Sequence, residues 1–145
     1  MCRANLLLLM LAGCVLAACQ RSETEGTYLA RRWLEALNSH DVEQVTQLLD
    51  GGATYSDPAP AQPVALPVLR QRLQQTWSVW KDQVYTANKV IEHADTVAIE
   101  WHVQQTHPSG RSVPTDGVTI LEVQSSRIHA VRNYYNTGIY LQFIK

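Results

Sequence analysis

The sequence lacks cysteine beyond residue 19, and this absence excludes several kinds of site. All three cysteines (Cys2, Cys14 and Cys19) stand at the start, so the rest of the 145 residues can hold no disulfide framework and no thiolate metal cluster. A basic excess is lacking too, because 12 Lys and Arg face 13 Asp and Glu for a net charge of −1. Clustered positive charge binds nucleic-acid backbones, so we expect no nucleic-acid partner. Histidine spacings that favour zinc are also missing, and we predict neither a metal nor a cofactor.

One apolar run stands near the start of the chain, and it is short. It covers residues 6–18, follows the single charge of Arg3 and is interrupted only by Gly13 and Cys14. A membrane span needs roughly 20 apolar residues, whereas one charge, a shorter run and then small residues are typical of a secretory signal. We therefore predict a signal peptide over residues 1–18, with an uncleaved anchor helix or an ordinary cleaved secretion signal as the alternatives.

The run ends in Leu-Ala-Ala-Cys, which resembles the bacterial lipobox. The resemblance implies that the sulfur of Cys19 receives a diacylglycerol and that acyl chains such as palmitate attach the protein to a membrane. A second match ends at Cys14, but its use would leave too short an apolar region. We expect residues 19–27 to form a lipidated cysteine and polar tether before a domain over 28–145. Because Gln20 follows the cysteine, similarity to diderm lipoproteins implies the periplasmic side of the outer membrane.

The full sequence is 46% hydrophobic. The part after the apolar run therefore has enough apolar residues to form one folded domain. Apolar residues at helical spacing predict an amphipathic helix over 28–38. Asp41 is positioned to cap a second helix, with Gln44 as its capping-box partner and Gly51-Gly52 ending the helix through positive φ. A short strand over 53–57 follows, and Pro67 suits the first turn of a third helix.

From residue 83 the apolar period changes from helical spacing to two. This alternation predicts four strands over 83–92, 96–106, 113–124 and 127–136, joined by short turns into an antiparallel meander. Three helices collected on one face of such a sheet define an α+β domain. An all-β sandwich, the alternative, does not accommodate the helical periodicity of the first half.

Three segments carry a family resemblance: WLEALNSHDVEQVTQLLDGGATYSDP, VAIEWHVQQTH and GVTILEVQSSRIHAVRNYYN. They resemble the SnoaL-like branch of the nuclear transport factor 2-like superfamily from about Tyr28 to Tyr140. The resemblance implies a cystatin-like roll, in which a cone-shaped curved antiparallel sheet is covered by three N-terminal helices around a pocket. Polyketide cyclases, ketosteroid isomerases, epoxide hydrolases and binding domains all share this fold, so the fold alone does not decide the function.

The epoxide hydrolase relatives provide a test of chemistry. Their Arg-x-Asp pair falls on Glu100 and His102, their second Asp falls on Asn133, and their water-holding Tyr and Asn fall on Tyr55 and Asp57. Epoxide opening needs one carboxylate as base and one carboxylic acid as proton donor. An amide does not exchange protons near neutral pH, so we predict that this activity is absent.

The remaining polar residues still suggest acid–base chemistry. Glu100 and His102 are two apart on one strand and so face the same side, which the resemblance implies is the cone interior. There Asp57 would orient His102 as a base while Tyr55 donates to a developing oxyanion. A catalytic trio of His102, Asp57 and Tyr55 is therefore one hypothesis. The ligand-binding residues that we expect are Tyr55, Asp57, Trp77, Glu100, His102, Asn133 and Tyr135.

Four Trp and six Tyr suggest a large apolar cavity or a dimer face. Trp101 alternates with His102, so we expect it on the outer sheet face together with Ile99 and Val103. That row predicts a homodimer through the outer face, unless the apolar segment 139–144 covers it.

The leading functional hypothesis is an envelope lipoprotein whose SnoaL-like pocket binds a small apolar or amphipathic molecule. It depends on the lipobox, the aromatic content and the loss of the paired carboxylates. An isomerase, cyclase or hydrolase that uses the His-Asp-Tyr group is one alternative. A protein–protein assembly module in the envelope is the other.

Overall fold

A computed structural model describes residues 22–59 and 61–143 of the chain. The three cysteines, and with them the expected signal peptide and lipidation site, lie outside the described residues. Within those two ranges, no helix is both long enough and apolar enough to cross a bilayer.

The first helix, α1 (Glu25–Asn38), begins three residues before the apolar periodicity predicts. Thr24 caps it, since the Thr24 side chain accepts a hydrogen bond from the Thr27 backbone N–H, so the end of the expected polar tether is helical. The predicted amphipathic pattern is confirmed, because Leu29, Trp33 and Leu37 are all buried.

The second helix, α2 (Val42–Gln47), is capped as predicted. The Asp41 side chain accepts from the backbone N–H groups of Glu43 and Gln44, and the Gln44 amide donates to the same carboxylate. The predicted end at Gly51-Gly52 is wrong. Both glycines lie in β1 (Leu49–Ser56), without positive φ, where the register against its neighbouring strand is irregular.

A two-residue strand, β2 (Val64–Ala65), leads directly into α3 (Leu66–Val79). Pro67 lies in the first turn of α3, as predicted, where its missing N–H leaves no helical hydrogen bond unmade. The helix buries Leu69, Leu73 and Trp77, which repeat on one of its faces.

The second half forms the antiparallel meander that the alternation predicts. Its strands are β3 (Val84–His93), β4 (Thr96–Gln104), β5 (Thr115–Gln124) and β6 (Arg127–Tyr135), followed by a C-terminal 3-10 helix (Thr137–Phe143). The six-stranded order is β2-β1-β6-β5-β4-β3, with β1 parallel to β6 and every other pair antiparallel. The α+β class, with a curved, unclosed sheet and three helices, is confirmed.

The orientation of β4 determines which side chains face the interior. Ile99, Trp101 and Val103 are buried among the helices, each at most 4% exposed, and Glu100 between them is exposed. The expectation that Glu100 and His102 face the hollow is therefore wrong. The expectation that Ile99, Trp101 and Val103 form a row on the outer face is wrong for the same reason. Burial of each large apolar side chain stabilises the fold by about 1.5–3 kcal/mol, and a shift of one residue would expose all three.

This orientation removes the reason for expecting a homodimer, because the row that was to pair two subunits is in the core.

On β3 the register against β4 shifts between Ala87 and Lys89. The shift reverses the alternation of the strand, so that residues an even number of positions apart across it face opposite sides of the sheet. Tyr85 before the shift packs against the core, and Ile91 after it is 53% exposed.

Gly117 provides the space that the Trp101 ring occupies. The two residues are paired across β4 and β5, and a Cβ built at Gly117 would overlap with the indole ring and lie 2.8 Å from the Tyr134 carbonyl oxygen. Only glycine therefore lets the ring lie flat across β5 at this point.

We expect Gly117→Ala to reduce the free energy of unfolding by about 1–3 kcal/mol, because the added methyl displaces a buried ring. Chemical denaturation followed by tryptophan fluorescence measures the effect. The matched control is Gly51→Ala, since nothing lies within 4 Å of a Cβ at Gly51. That variant should change the same quantity by less than about 1 kcal/mol. Equal losses in both variants would contradict this role of Gly117.

Candidate functional site

A cavity of about 500 Å3 lies between the helix-covered face of the sheet, the end of α3 and the C-terminal 3-10 helix. Its inner wall is buried and includes Leu37, Val103 and Gln105. Aromatic side chains dominate the lining: Trp80, Tyr85, Trp101, Tyr135, Tyr140 and Phe143. The cavity thus combines aromatic and aliphatic walls with several polar groups, among them Asp57, Gln105, Thr119 and Asn133.

The aromatic rings contact one another in a continuous series around the cavity. The Trp101 centroid lies 5.3 Å from that of Tyr85 and 6.1 Å from that of Tyr135. Tyr140 continues the series at 6.1 Å from Tyr135 and 5.8 Å from Trp80. These edge-to-face and tilted contacts hold each ring in place.

A chain of hydrogen bonds crosses the sheet side of the cavity and ends on one carboxylate. The indole nitrogen of Trp101 donates to the Thr119 hydroxyl at 2.8 Å, which donates to Oδ1 of Asn133 at 2.6 Å. Nδ2 of Asn133 donates to Oδ1 of Asp57 at 3.1 Å, and the Tyr55 hydroxyl donates to the same oxygen at 3.0 Å. All the donors therefore point toward Asp57.

The direction of this chain follows from chemistry. An indole N–H can only donate, so Thr119 must accept from Trp101 and can pass its single proton only to Asn133. The Asn133 oxygen then accepts, which leaves its amide group to donate to Asp57. The arrangement fixes the orientation of the amide and matches an ionised Asp57.

Burial opposes that ionised form. It raises the pKa of Asp57 above the ordinary value, and it outweighs the hydrogen bonds from Tyr55 and Asn133 and the more distant charge of Arg72, all of which lower that pKa. Asp57 is the only carboxyl group among the described residues that line the cavity. The cavity therefore contains one acidic group whose charge the surrounding protein only partly compensates.

Three tyrosines at the cavity, Tyr55, Tyr85 and Tyr135, stay protonated. Burial raises the pKa of Tyr55 well above its usual range, and the nearby charge of Asp57 adds to the effect. Burial likewise raises the pKa values of Tyr85 and Tyr135. These phenols are hydrogen-bond donors and cannot act as anionic bases near neutral pH.

A second polar cluster fixes the 3-10 helix against the sheet. Nε2 of Gln83 donates to Oε1 of Gln105 at 2.7 Å, and Nε2 of Gln105 donates to the Tyr140 hydroxyl at 2.8 Å. Thr115 lies 3.2 Å from the same hydroxyl. Tyr140 therefore stays in place as a wall of the cavity.

The expected ligand-binding residues divide between the cavity and the outside. Asp57, Asn133 and Tyr135 line the cavity, and Tyr55 is placed behind Asp57. Trp77 does not line the cavity: it is buried on another side of α3, where it stacks on His40 at 5.2 Å.

Glu100 and His102 lie on the opposite face of the sheet. Nδ1 of His102 is 2.7 Å from Oδ1 of Asp116, which is paired with it across β4 and β5. The structure therefore brings Asp57 and Tyr55 together and leaves His102 outside, so the expected catalytic trio does not assemble.

Several cavity residues were not anticipated from the sequence. Trp101 was assigned to the wrong face, while Thr119, Tyr140 and Phe143 were not considered as site residues. Thr119 alternates with Gly117 and Leu121, but the other set contains Val118 and Ile120, so the pattern on β5 gives no clear signal for the inner face. Over 22–59 and 61–143, no group of three or more His, Cys, Asp or Glu could hold a metal ion.

Comparisons with known proteins identify the family. A model of the SnoaL-like domain family matches residues 30–131, more than half of the chain. The chain therefore belongs to the SnoaL-like family, and the expected resemblance is confirmed. A comparison with curated proteins finds no significant sequence match.

Solved structures share the fold at low sequence identity. A protein from Catenulispora acidiphila with a ketosteroid isomerase-like fold, in complex with trimethylamine, has a TM-score of 0.72 at 17% identity, over 79% of this chain and 89% of its own. IdmH from Streptomyces antibioticus, described as a candidate polyketide cyclase, has a TM-score of 0.74 at 18% identity, over 83% of this chain and 99% of its own. A Burkholderia pseudomallei NTF2-like protein of unknown function has a TM-score of 0.76 at 14% identity, over 84% of this chain and 98% of its own. These likenesses establish the nuclear transport factor 2-like fold and nothing finer.

We expect Asp57→Asn to change how stability depends on pH. Because the folded-state pKa of Asp57 is raised, the wild type loses free energy of unfolding as pH rises from the ordinary carboxyl range through that pKa. The variant lacks this loss, so its stability relative to wild type should increase over the same window. Denaturation curves at a series of pH values measure the difference.

Asp41→Asn is a control of opposite sign. Hydrogen bonds, above all from the Gln44 side chain, lower the pKa of Asp41, so its contribution is present above the ordinary pKa and lost as pH falls through the folded-state value. A stability difference for Asp57→Asn that did not vary with pH would contradict the effect of burial on Asp57.

Proposed function

We propose that the domain is a receptor for a small, largely apolar ligand with one polar group. The observation that supports it is the cavity of about 500 Å3, lined by aromatic rings and containing one oriented carboxyl group. Small-molecule sites typically combine a volume of about 300–1,000 Å3, mostly apolar walls and a few fixed polar groups. The apolar part of the ligand would replace water against the rings, and its polar group would contact Asp57.

The rigidity of the lining supports the same proposal. The Trp101-to-Asp57 chain and the Gln83–Gln105–Tyr140 cluster hold the walls in place before a ligand arrives. A ligand that enters a pre-formed site loses less free energy to ordering of side chains. In the related fold from Catenulispora acidiphila a small molecule, trimethylamine, is bound.

The test is isothermal titration calorimetry of the purified full chain with 2-naphthol, a rigid two-ring alcohol. We expect saturable 1:1 binding. Thr76→Trp should abolish it, because Thr76 is a half-buried residue of α3 that lines the cavity and a larger side chain would fill the space. The matched control Gln75→Trp places the same side chain on the exposed face of α3 and should leave binding unchanged. Absence of binding, or equal loss in both variants, would contradict the proposal.

A second candidate function is acid–base catalysis of the isomerase or cyclase type. One observation favours it: Asp57 is a partly buried carboxyl group with a raised pKa and a Tyr55 hydroxyl at 3.0 Å. In this version Asp57 would transfer a proton of the ligand and Tyr55 would position it. His102 would have no part, since it lies on the other face of the sheet.

We also propose that Cys19 is lipidated and that the protein is attached to the bacterial envelope, on the periplasmic side of the outer membrane. The support is the Leu-Ala-Ala-Cys motif that ends the apolar run. Each buried methylene of an acyl chain contributes about 0.8 kcal/mol, so two or more chains would retain the protein on the membrane.

Cys19→Ala should therefore move the protein from the membrane fraction to the soluble fraction and abolish incorporation of labelled palmitate. Cys14→Ala is the matched control, because Cys14 lies in the same apolar run and ends the weaker motif. It should leave both properties unchanged. Loss of labelling in the Cys14 variant alone would show that the wrong cysteine was chosen.

A further inference from the structure

We propose that the cavity selects a cation, namely a protonated or quaternary amine that carries apolar substituents. The inference rests on the proposed receptor function and goes further by assigning the charge of the ligand. The juxtaposition that supports it is one incompletely compensated carboxylate and six aromatic rings around the same space.

The charges around the cavity favour a cation over an anion. Asp57 is a lining residue, and no Lys or Arg is among the described residues of the lining. The remaining nitrogen base is His107, whose ring stacks on Phe143 at 4.2 Å and whose Nδ1 lies 2.9 Å from the Ser109 hydroxyl. An anionic ligand would meet the like charge of Asp57, and His107 is the one basic side chain among the described residues of the lining.

The aromatic lining favours a cation as well. The face of each ring carries negative charge density and attracts a cation within about 6 Å, with a gain that increases when water is excluded. Trp101 is 4% exposed, so little of its ring is in contact with bulk water. Trp80, a second indole, lies at the other end, against Tyr140 and Phe143. A neutral apolar ligand would fill the same space without this attraction.

The state of Asp57 gives the cation a further role. Two hydrogen bonds from protein side chains converge on its Oδ1, yet burial still raises its pKa. The protein alone therefore under-compensates the negative charge. A ligand cation would supply the missing positive charge and keep Asp57 ionised, so its binding should strengthen as pH rises through the folded-state pKa.

Arg111 is one competing positive charge, since its guanidinium lies 5.7 Å from the centre of the Phe143 ring. Arg72 is the other. Its charge reaches Asp57 from α3 and lowers the Asp57 pKa, but this is the smallest of the four contributions. In the described part of the chain it forms neither a salt bridge nor a hydrogen bond with Asp57. Because Arg72 repels a bound cation, Arg72→Gln should tighten cation binding.

The experiment compares three probes of similar size on the full chain by quenching of tryptophan fluorescence. Phenyltrimethylammonium carries the cation, tert-butylbenzene has the same shape without charge, and benzenesulfonate carries an anion. We expect the dissociation constant of the cation to be about tenfold lower than that of its neutral isostere, the size of effect that cation–π and ionic contacts give in a dry site. Benzenesulfonate should bind more weakly than either.

Two variants isolate the charge. Asp57→Asn keeps the size and an acceptor oxygen, and should remove the preference for the cation by weakening phenyltrimethylammonium binding to the level of tert-butylbenzene binding. The matched control Asp116→Asn removes an exposed carboxyl group on the opposite face and should retain the preference.

The outcomes are distinguishable. If tert-butylbenzene binds as tightly as the cation, or if Asp57→Asn keeps the preference, the charge inference is wrong and the apolar receptor remains. If 2-naphthol binds but none of the three probes does, the charge inference is also wrong. If 2-naphthol does not bind either, the receptor function is wrong, and the charge inference, which rests on it, is wrong too.

Discussion

Burial of the Ile99–Trp101–Val103 row on the helix-covered face is the constraint on which the rest of the site depends. It fixes the facing of β4 and, through the pairing with β5 and β6, brings Thr119 and Asn133 to the same interior. The bare Cα of Gly117 makes room for the indole ring at the centre of this row. Once the ring is there, its N–H needs an acceptor, and that need begins the chain of hydrogen bonds that ends on Asp57.

The cavity thus combines two features with opposing demands. Packing of the aromatic rings buries Asp57 away from water, and burial makes the ionised form of a carboxyl group costly in free energy. The hydrogen bonds from Tyr55 and Asn133 reduce that cost without removing it, as the raised pKa of Asp57 shows. Functional sites commonly contain an ionisable group whose charge the protein stabilises incompletely, because a ligand or a reaction can then stabilise it.

Periodicity and capping chemistry were enough to predict the α+β class, three helices and the meander, and Asp41 and Pro67 lie where helix-start rules place them. Which face of a strand is buried was harder to predict. On β4 one alternating set is wholly apolar and is the buried one, but the resemblance assigned Glu100 and His102, which belong to the other set, to the interior. Asp57 and Asn133, which the same resemblance supplied, do line the cavity. Tyr140 and Phe143 depend on how the C-terminal segment folds back, which involves contacts across the whole chain.

That segment, Thr137–Phe143, has a consequence for how the family can diversify. It supplies two rings of the cavity wall, Tyr140 and Phe143, from outside the sheet that builds the core. The Tyr140 hydroxyl accepts a hydrogen bond from the buried Gln105, so its loss would also cost stability, whereas the Phe143 side chain makes only ring contacts with the other described residues. Position 143 is therefore where the shape of the chamber can change while the strand register stays the same.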